Sequence, residues 1–73
     1  MRLSLNIVAQ EAIDEAMRAA EKWPAYHSAH ESFGVLAEEV AEYFDEVRAN
    51  NPTRQREELI QIIAVALRAA AGV

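Results

Sequence analysis

Larger apolar residues recur every three or four positions through most of the chain, the spacing of one face of an α-helix. Two breaks interrupt the pattern, one around Pro24 and one at Asn50-Asn51-Pro52, so it predicts three helices. The first runs from about Leu5 to Lys22, with Ser4 as N-cap and Pro24 stopping it just past Trp23. On a helical wheel Leu5, Ile13, Met17 and Trp23 fall on one side with Ala9, Ala12, Ala16 and Ala20, and Glu11, Asp14, Arg18 and Glu21 fall on the other. The second helix starts at Ser28-Ala29-His30-Glu31, a capping box with serine at N-cap and glutamate at N3. It should reach Arg48 or Ala49, with an apolar stripe of Phe33, Leu36, Ala37, Val40, Tyr43, Phe44 and Val47. Asn51 as N-cap and Pro52 at N1 begin the third, which runs to Ala70 or Ala71 and is ended by Gly72.

The third helix differs from the others. From Leu59 to Ala71 its only polar residues are Gln61 and Arg68, while Leu59, Ile60, Ile62, Ile63, Val65 and Leu67 cover almost the whole circumference. A helix apolar all round is a buried helix. Two companions cannot surround it, so a second chain is expected to supply the missing cover. With no internal repeat, linker or low-complexity stretch, residues 1–73 read as a single all-α domain. The expected architecture is a three-helix chain forming a helical bundle through homo-oligomerisation.

Composition sharpens that expectation. At 73 residues the chain falls where a single core is marginal and small domains lean on disulfides, metals or partner chains. It has no cysteine, which excludes disulfides and thiolate metal sites and leaves oxygen and imidazole ligands. Alanine, a good helix former and a poor core filler, supplies fifteen of the hydrophobic residues. No apolar run approaches the ~20 residues that span a bilayer, and the N-terminal Met1-Arg2-Leu3-Ser4 stretch lacks the apolar centre of a signal peptide. The expectation is a cytoplasmic protein without a membrane partner. Twelve acidic against seven basic residues give a net charge of -5, which argues against direct binding of nucleic acid backbones. It does not argue against phosphate chemistry through a divalent cation, which inverts the local charge.

Most of the acids suit a solvated surface. Glu11, Asp14, Glu15 and Glu21 lie on the polar side of the first helix, and Glu31 serves the capping box. The run Glu38-Glu39-Val40-Ala41-Glu42 is different. Glu39 borders the apolar stripe, and Glu42, one turn on, shares its flank with Cβ atoms about 5–6 Å away. Two carboxylates so placed repel when ionised, and a shared divalent cation removes the repulsion. Glu46 extends this flank and Glu38 points further from it. On the third helix Glu57 joins Gln61 and Arg68 in a narrow polar wedge, but Glu58 lies between Ile62 and Val65, where an ionised carboxylate needs a partner or a cation. Gln61 is one turn beyond it. An antiparallel pair of helices brings Glu58 and Gln61 to Glu39 and Glu42, since both pairs lie near the shared turn. The alternative is that Arg54 or Arg56 pairs with Glu58.

Glu38-Glu39-Val40-Ala41-Glu42 followed by Glu58-Leu59-Ile60-Gln61 resembles the EExxE…ExxD signature of MazG-like proteins, within the all-α nucleoside triphosphate pyrophosphohydrolases. The words Lys22-Trp23-Pro24, Ser28-Ala29-His30-Glu31, Gly34-Val35-Leu36 and Gln61-Ile62-Ile63-Ala64 are similar to those of a short MazG-related subgroup, and the resemblance covers Ala19 to Ala70. It implies a helical homodimer or homotetramer that uses Mg²⁺, or Mn²⁺, to hydrolyse the α–β phosphate bond of a nucleotide substrate. Carried over by position, Glu39, Glu42, Glu58 and Gln61 would be the metal ligands. Glu38 would be a ligand or an acceptor just outside the ligand set, and Glu38 or Glu42 would orient the attacking water. The departure is Gln61, where the signature has aspartate. A neutral amide offers one oxygen and no charge, binds Mg²⁺ less tightly and cannot act as a base.

Other residues read more plainly. His27 and His30 straddle the N-cap at Ser28, which favours loop and capping roles, although His30 is close enough to the helix start to meet a phosphate. Trp23, before a proline at a helix end, reads as closing the core rather than stacking on a base, and Tyr26 is similar. Arg54, Arg56 and Arg68 are the cations available to phosphates. Two further functions remain open: a catalytically degenerate MazG-like module for helical oligomerisation or interaction, and a helical protein whose acidic face binds a basic partner.

Overall fold

Each helix begins where a side chain is available to hold its first free N–H group. In the computed structural model, which describes residues 2–73, helix α1 spans Leu5–Lys22, α2 Ala29–Arg48 and α3 Pro52–Ala71. Ser4 Oγ accepts from Ile7 N–H, Ser28 Oγ from Glu31 N–H and Asn51 Oδ1 from Arg54 N–H, at 3.1, 3.1 and 3.2 Å. The return half of the capping box is shifted by one residue, with Glu31 Oε1 accepting from His27 N–H at 2.9 Å. The α2–α3 turn is closed by Asn50 at φ 55, a left-handed conformation that asparagine tolerates. Gly72 at φ 75 ends α3, its N–H bonded to Arg68 O at 2.9 Å. The ends of all three helices thus fall where the capping residues of the sequence predict them.

The packing has α3 at its centre. Both α1 and α2 pack on α3, and among the described residues they do not pack on each other. The antiparallel α2–α3 hairpin is fastened near its turn by Gln55 Nε2 donating to Glu46 O at 3.2 Å. Across α1 and α3, Ala12, Ala16 and Ala64 are buried, and these small side chains let the helix backbones approach closely. Among the described residues Val65 and Arg68 complete the buried set, and no large side chain is fully enclosed. Arg68, 5% exposed, holds the top of the molecule together: its Nη2 donates to Pro24 O at 3.0 Å and to the Val73 main-chain oxygen at 3.3 Å, and its guanidinium lies 4.8 Å from the Tyr26 ring centroid.

Three helices side by side make a slab with extents of 36 × 25 × 18 Å, and its two faces differ. Glu31 and Val35 of α2, Gln61 and Arg68 of α3 and Glu15 of α1 line one cleft, which fixes the polar face. At about 100° per residue, Phe33, Val40, Phe44 and Val47 of α2 and Leu59 and Ile63 of α3 then turn to the opposite face. All six are exposed. The expectation of a third helix buried on every side is therefore met on two sides within one chain, while its third apolar side is open. Among the described residues no helix is long and apolar enough to cross a membrane.

Candidate metal centre

The capping and turn residues that start α3 also set its register against α2. The short turn at Ala49, Asn50 and Asn51 reverses the chain, so Glu58, in the second turn of α3, comes level with Glu39 and Glu42. One carboxylate oxygen from each of the three lies within 4.8 Å of the others. Glu39 and Glu58 are half-buried between the helices, and Glu42 is exposed at the rim. Oxygens on opposite sides of a Mg²⁺ stand about 4.2 Å apart, and of a Ca²⁺ about 5 Å, from bond lengths of ~2.1 and ~2.4 Å. A spread within 4.8 Å is compatible with the ligand sphere of one such cation.

Burial and like charge govern the electrostatics of the cluster. Burial, reinforced by the neighbouring Glu58 and Glu42 carboxyls, pushes Glu39 up to about 7. Glu58 Oε2 is buried without a hydrogen-bond partner. Among the described residues no basic side chain pairs with any of the three. Arg56, considered above as a partner for Glu58, instead makes a two-pronged pair with Glu11 of α1, at 2.8 and 3.0 Å. The other close contacts between basic and acidic side chains among the described residues are Arg18–Glu15 at 2.6 Å and His27–Glu31 at 3.4 Å. Oxygen-only ligands, half-buried, with an orphaned acceptor and an excess of negative charge, fit a hard divalent cation.

Gln61 and Glu38 take different places. Gln61, one turn beyond Glu58, lines the cleft of about 380 Å³ between α1 and α2. There the Arg18 guanidinium, first, and the Gln61 amide hold the Glu15 carboxyl below its ordinary value. Glu38 is exposed beside Glu39 on the polar edge of α2 and is not one of the clustered carboxylates. The cleft adjoins the carboxylates through Gln61 and is walled by Trp23, Tyr26 and Val35, with Arg68 at its far end. Trp23 is 57% exposed, with Lys22 Nζ 5.3 Å from its ring centroid, so it borders the cleft more than it closes the core. His30 lies outside this cleft, in a shallow depression with Ala29 and Phe33.

Two residues of this neighbourhood escape a reading by periodicity. Glu15 reads as solvated but is half-buried against α3. The available signal is its place between Ala12 and Ala16, the buried positions of α1. Arg68 reads as a free cation but is occupied in tying the chain end to the α1–α2 connection, and no local pattern announces that. No protein-family model, curated protein or solved structure matches the chain.

Proposed function

We propose that this chain is a cytoplasmic Mg²⁺-dependent nucleotide pyrophosphohydrolase of the MazG-like kind, cleaving the α–β phosphate bond of a nucleoside triphosphate. The observation that carries the reading is the meeting of Glu39, Glu42 and Glu58 from two helices, with a buried Glu58 oxygen and no basic partner. Those three side chains would hold the cation, Mn²⁺ serving in place of Mg²⁺. When bound, such a cation neutralises phosphate charge and takes phosphate oxygens as ligands. This is how a chain of net charge -5 would accept a polyanion. Glu42, at the rim, presents its carboxylate where the nucleotide arrives, and the adjoining cleft has room for the rest of the substrate. Glu38, outside the cluster and open to solvent, would take the proton of the attacking water. The water oxygen bonds to the α-phosphorus, the bond from that phosphorus to the bridging oxygen breaks, and pyrophosphate leaves with the electron pair.

One observation favours a second reading. Gln61 stands where the resemblance asks for aspartate, and after Arg18 its amide helps to hold the Glu15 carboxyl below its ordinary value. A site one charge short suits a MazG-like module that keeps the helical assembly and has lost turnover. Pyrophosphate release from a panel of nucleoside triphosphates with Mg²⁺ or Mn²⁺ decides between the two. The enzyme reading requires metal-dependent release that falls at least about 100-fold in Glu39→Gln and Glu58→Gln, since even residues that only support metal ligands cost 10–100-fold. No metal-dependent release from any nucleotide selects the module.

A further inference from the structure

The cleft beside the clustered carboxylates carries acids where a phosphate pocket carries cations. Val35 is one turn from Glu39 on α2 and Gln61 one turn from Glu58 on α3, so the cleft opens directly off the cluster. Among the described residues, the only basic side chain lining it is Arg68. Arg68 is already spent on the Pro24 and Val73 main-chain oxygens and, at 3.5 Å, on the Tyr26 hydroxyl. The acids of the cleft are Glu15 and Glu31. Glu31 is engaged with His27, through its N–H at 2.9 Å and its ring at 3.4 Å. Glu15 is free to do more. Its side chain is 28% exposed, and Arg18 Nη2 donates to Oε2 at 2.6 Å. Arg18 and then the Gln61 amide hold its carboxyl below the ordinary value, so it is ionised at neutral pH. An ionised carboxylate accepts at about four lone-pair sites, of which Arg18 takes one.

A nucleotide whose phosphates lie on the cation turns its base toward this cleft, and the edge that meets Glu15 must carry N–H donors. Guanine alone among the common bases has two adjacent ones, N1–H and the N2 amino group, which match the paired oxygens of a carboxylate. Adenine and cytosine each offer an amino group beside an unprotonated ring nitrogen, whose lone pair an ionised carboxylate repels. Uracil and thymine offer a single N3–H between two carbonyl oxygens. Trp23, at the wall of the same cleft and 57% exposed, presents a flat face on which any base can stack. Stacking is blind to the base, so discrimination falls to the carboxylate.

We propose that Glu15 selects guanine, its carboxylate accepting N1–H and the N2 amino group of a guanine nucleotide. The proposal rests on the nucleotide reading of the metal centre and adds the base, which that reading leaves open. The test compares kcat/KM for GTP, ITP, XTP, ATP, CTP and UTP with Mg²⁺, in the wild type and in Glu15→Gln. Inosine lacks only the N2 amino group, so ITP should fall about 10–100-fold below GTP in the wild type, the worth of one hydrogen bond to a charged group. Xanthine replaces that amino group with a carbonyl oxygen, which suits an amide with one donor and one acceptor. Glu15→Gln should therefore lose GTP by about 10–100-fold and gain XTP. The comparison of GTP with ITP needs no variant and stands even if Glu15→Gln fails to fold. Should no nucleotide be turned over, the same panel is titrated with Mg²⁺ against the fluorescence of Trp23, the single tryptophan, and the same order of affinities is expected. GTP and ITP used or bound equally, or a preference for GTP that survives in Glu15→Gln, overturns the proposal and leaves the nucleotide reading standing. Neither turnover nor binding of any nucleotide overturns the nucleotide reading, and the proposal with it.

Discussion

Removing one of the three clustered carboxylates should stabilise the metal-free protein at neutral pH, against the usual expectation for a half-buried residue. Glu39 is held at about 7 instead of the ordinary 4.5. A carboxyl whose folded value is raised binds its proton more tightly in the folded state. Its penalty is therefore absent below about 4.5, grows between 4.5 and 7, and is complete above 7. At ~1.4 kcal/mol per pH unit the whole interval corresponds to about 3 kcal/mol. Water and salt screen the exposed Glu42 side of the cluster, which leaves roughly 1–2 kcal/mol. Glu58→Gln removes one repelling charge and gives Glu39 an amide donor, while burial, the larger cause, remains. About 1 kcal/mol should be recovered, a rise of ~4–8 °C in melting temperature for a domain of this size. The assay is thermal unfolding at fixed protein concentration, at pH 5 and pH 8, in EDTA and in millimolar Mg²⁺. The wild type should melt lower at pH 8 than at pH 5 in EDTA and regain the difference with Mg²⁺, because a ligand that binds the folded state alone must stabilise it. Glu58→Gln should melt higher than the wild type at pH 8 in EDTA and respond less to Mg²⁺, with Glu38→Gln as an unchanged control. A Glu58→Gln variant that melts below the wild type at pH 8 in EDTA would refute the electrostatic reasoning.

Three further outcomes follow from other parts of the fold. Arg56 holds Glu11 below its ordinary value, so that pair contributes stability above pH 4.5 that is lost as pH falls through the lowered value. Glu11→Gln should therefore flatten the acid limb of the stability curve, and parallel limbs would exclude the pair as a contributor. Ala12, with no exposed surface at the α1–α3 crossing, should not accept a larger side chain. Ala12→Leu should cost about 1–3 kcal/mol in urea unfolding, and a cost near zero would show the crossing to be loose. Gln61→Asp adds a charge between Glu15 and Glu58, so it should lower the metal-free melting temperature at pH 8 and raise the response to Mg²⁺; an unchanged Mg²⁺ response would place position 61 outside the metal's reach.

The helix boundaries were legible because they are local chemistry. Ser4, Ser28, Asn51, Pro52 and Gly72 each act on backbone groups within a few residues, and that is where the helices begin and end. The cluster was legible for a related reason. Glu39, Glu42 and Glu58 lie a short distance either side of a tight turn, so the antiparallel return alone brings them level. What periodicity could not supply is the side on which each neighbour sits. A helical wheel gives the phase of a helix about its own axis and nothing about its surroundings. Arg56 is as well placed for Glu58 as for Glu11 until α1 is seen to lie across α3 from α2. Arg68 likewise reads as a solvated cation until the chain end and the Pro24 connection close over it. The all-round apolarity of α3 is answered on two sides within the chain, while the third opens on the exposed face.

Saturable binding of Mn²⁺, read from the loss of its free paramagnetic resonance signal, tests the central claim most directly. The three-carboxylate site predicts saturation in the micromolar to millimolar range by the wild type, competition by Mg²⁺, and loss of binding in both Glu39→Gln and Glu58→Gln. Absence of saturable binding by the wild type up to millimolar Mn²⁺, or binding left intact in both variants, would contradict it.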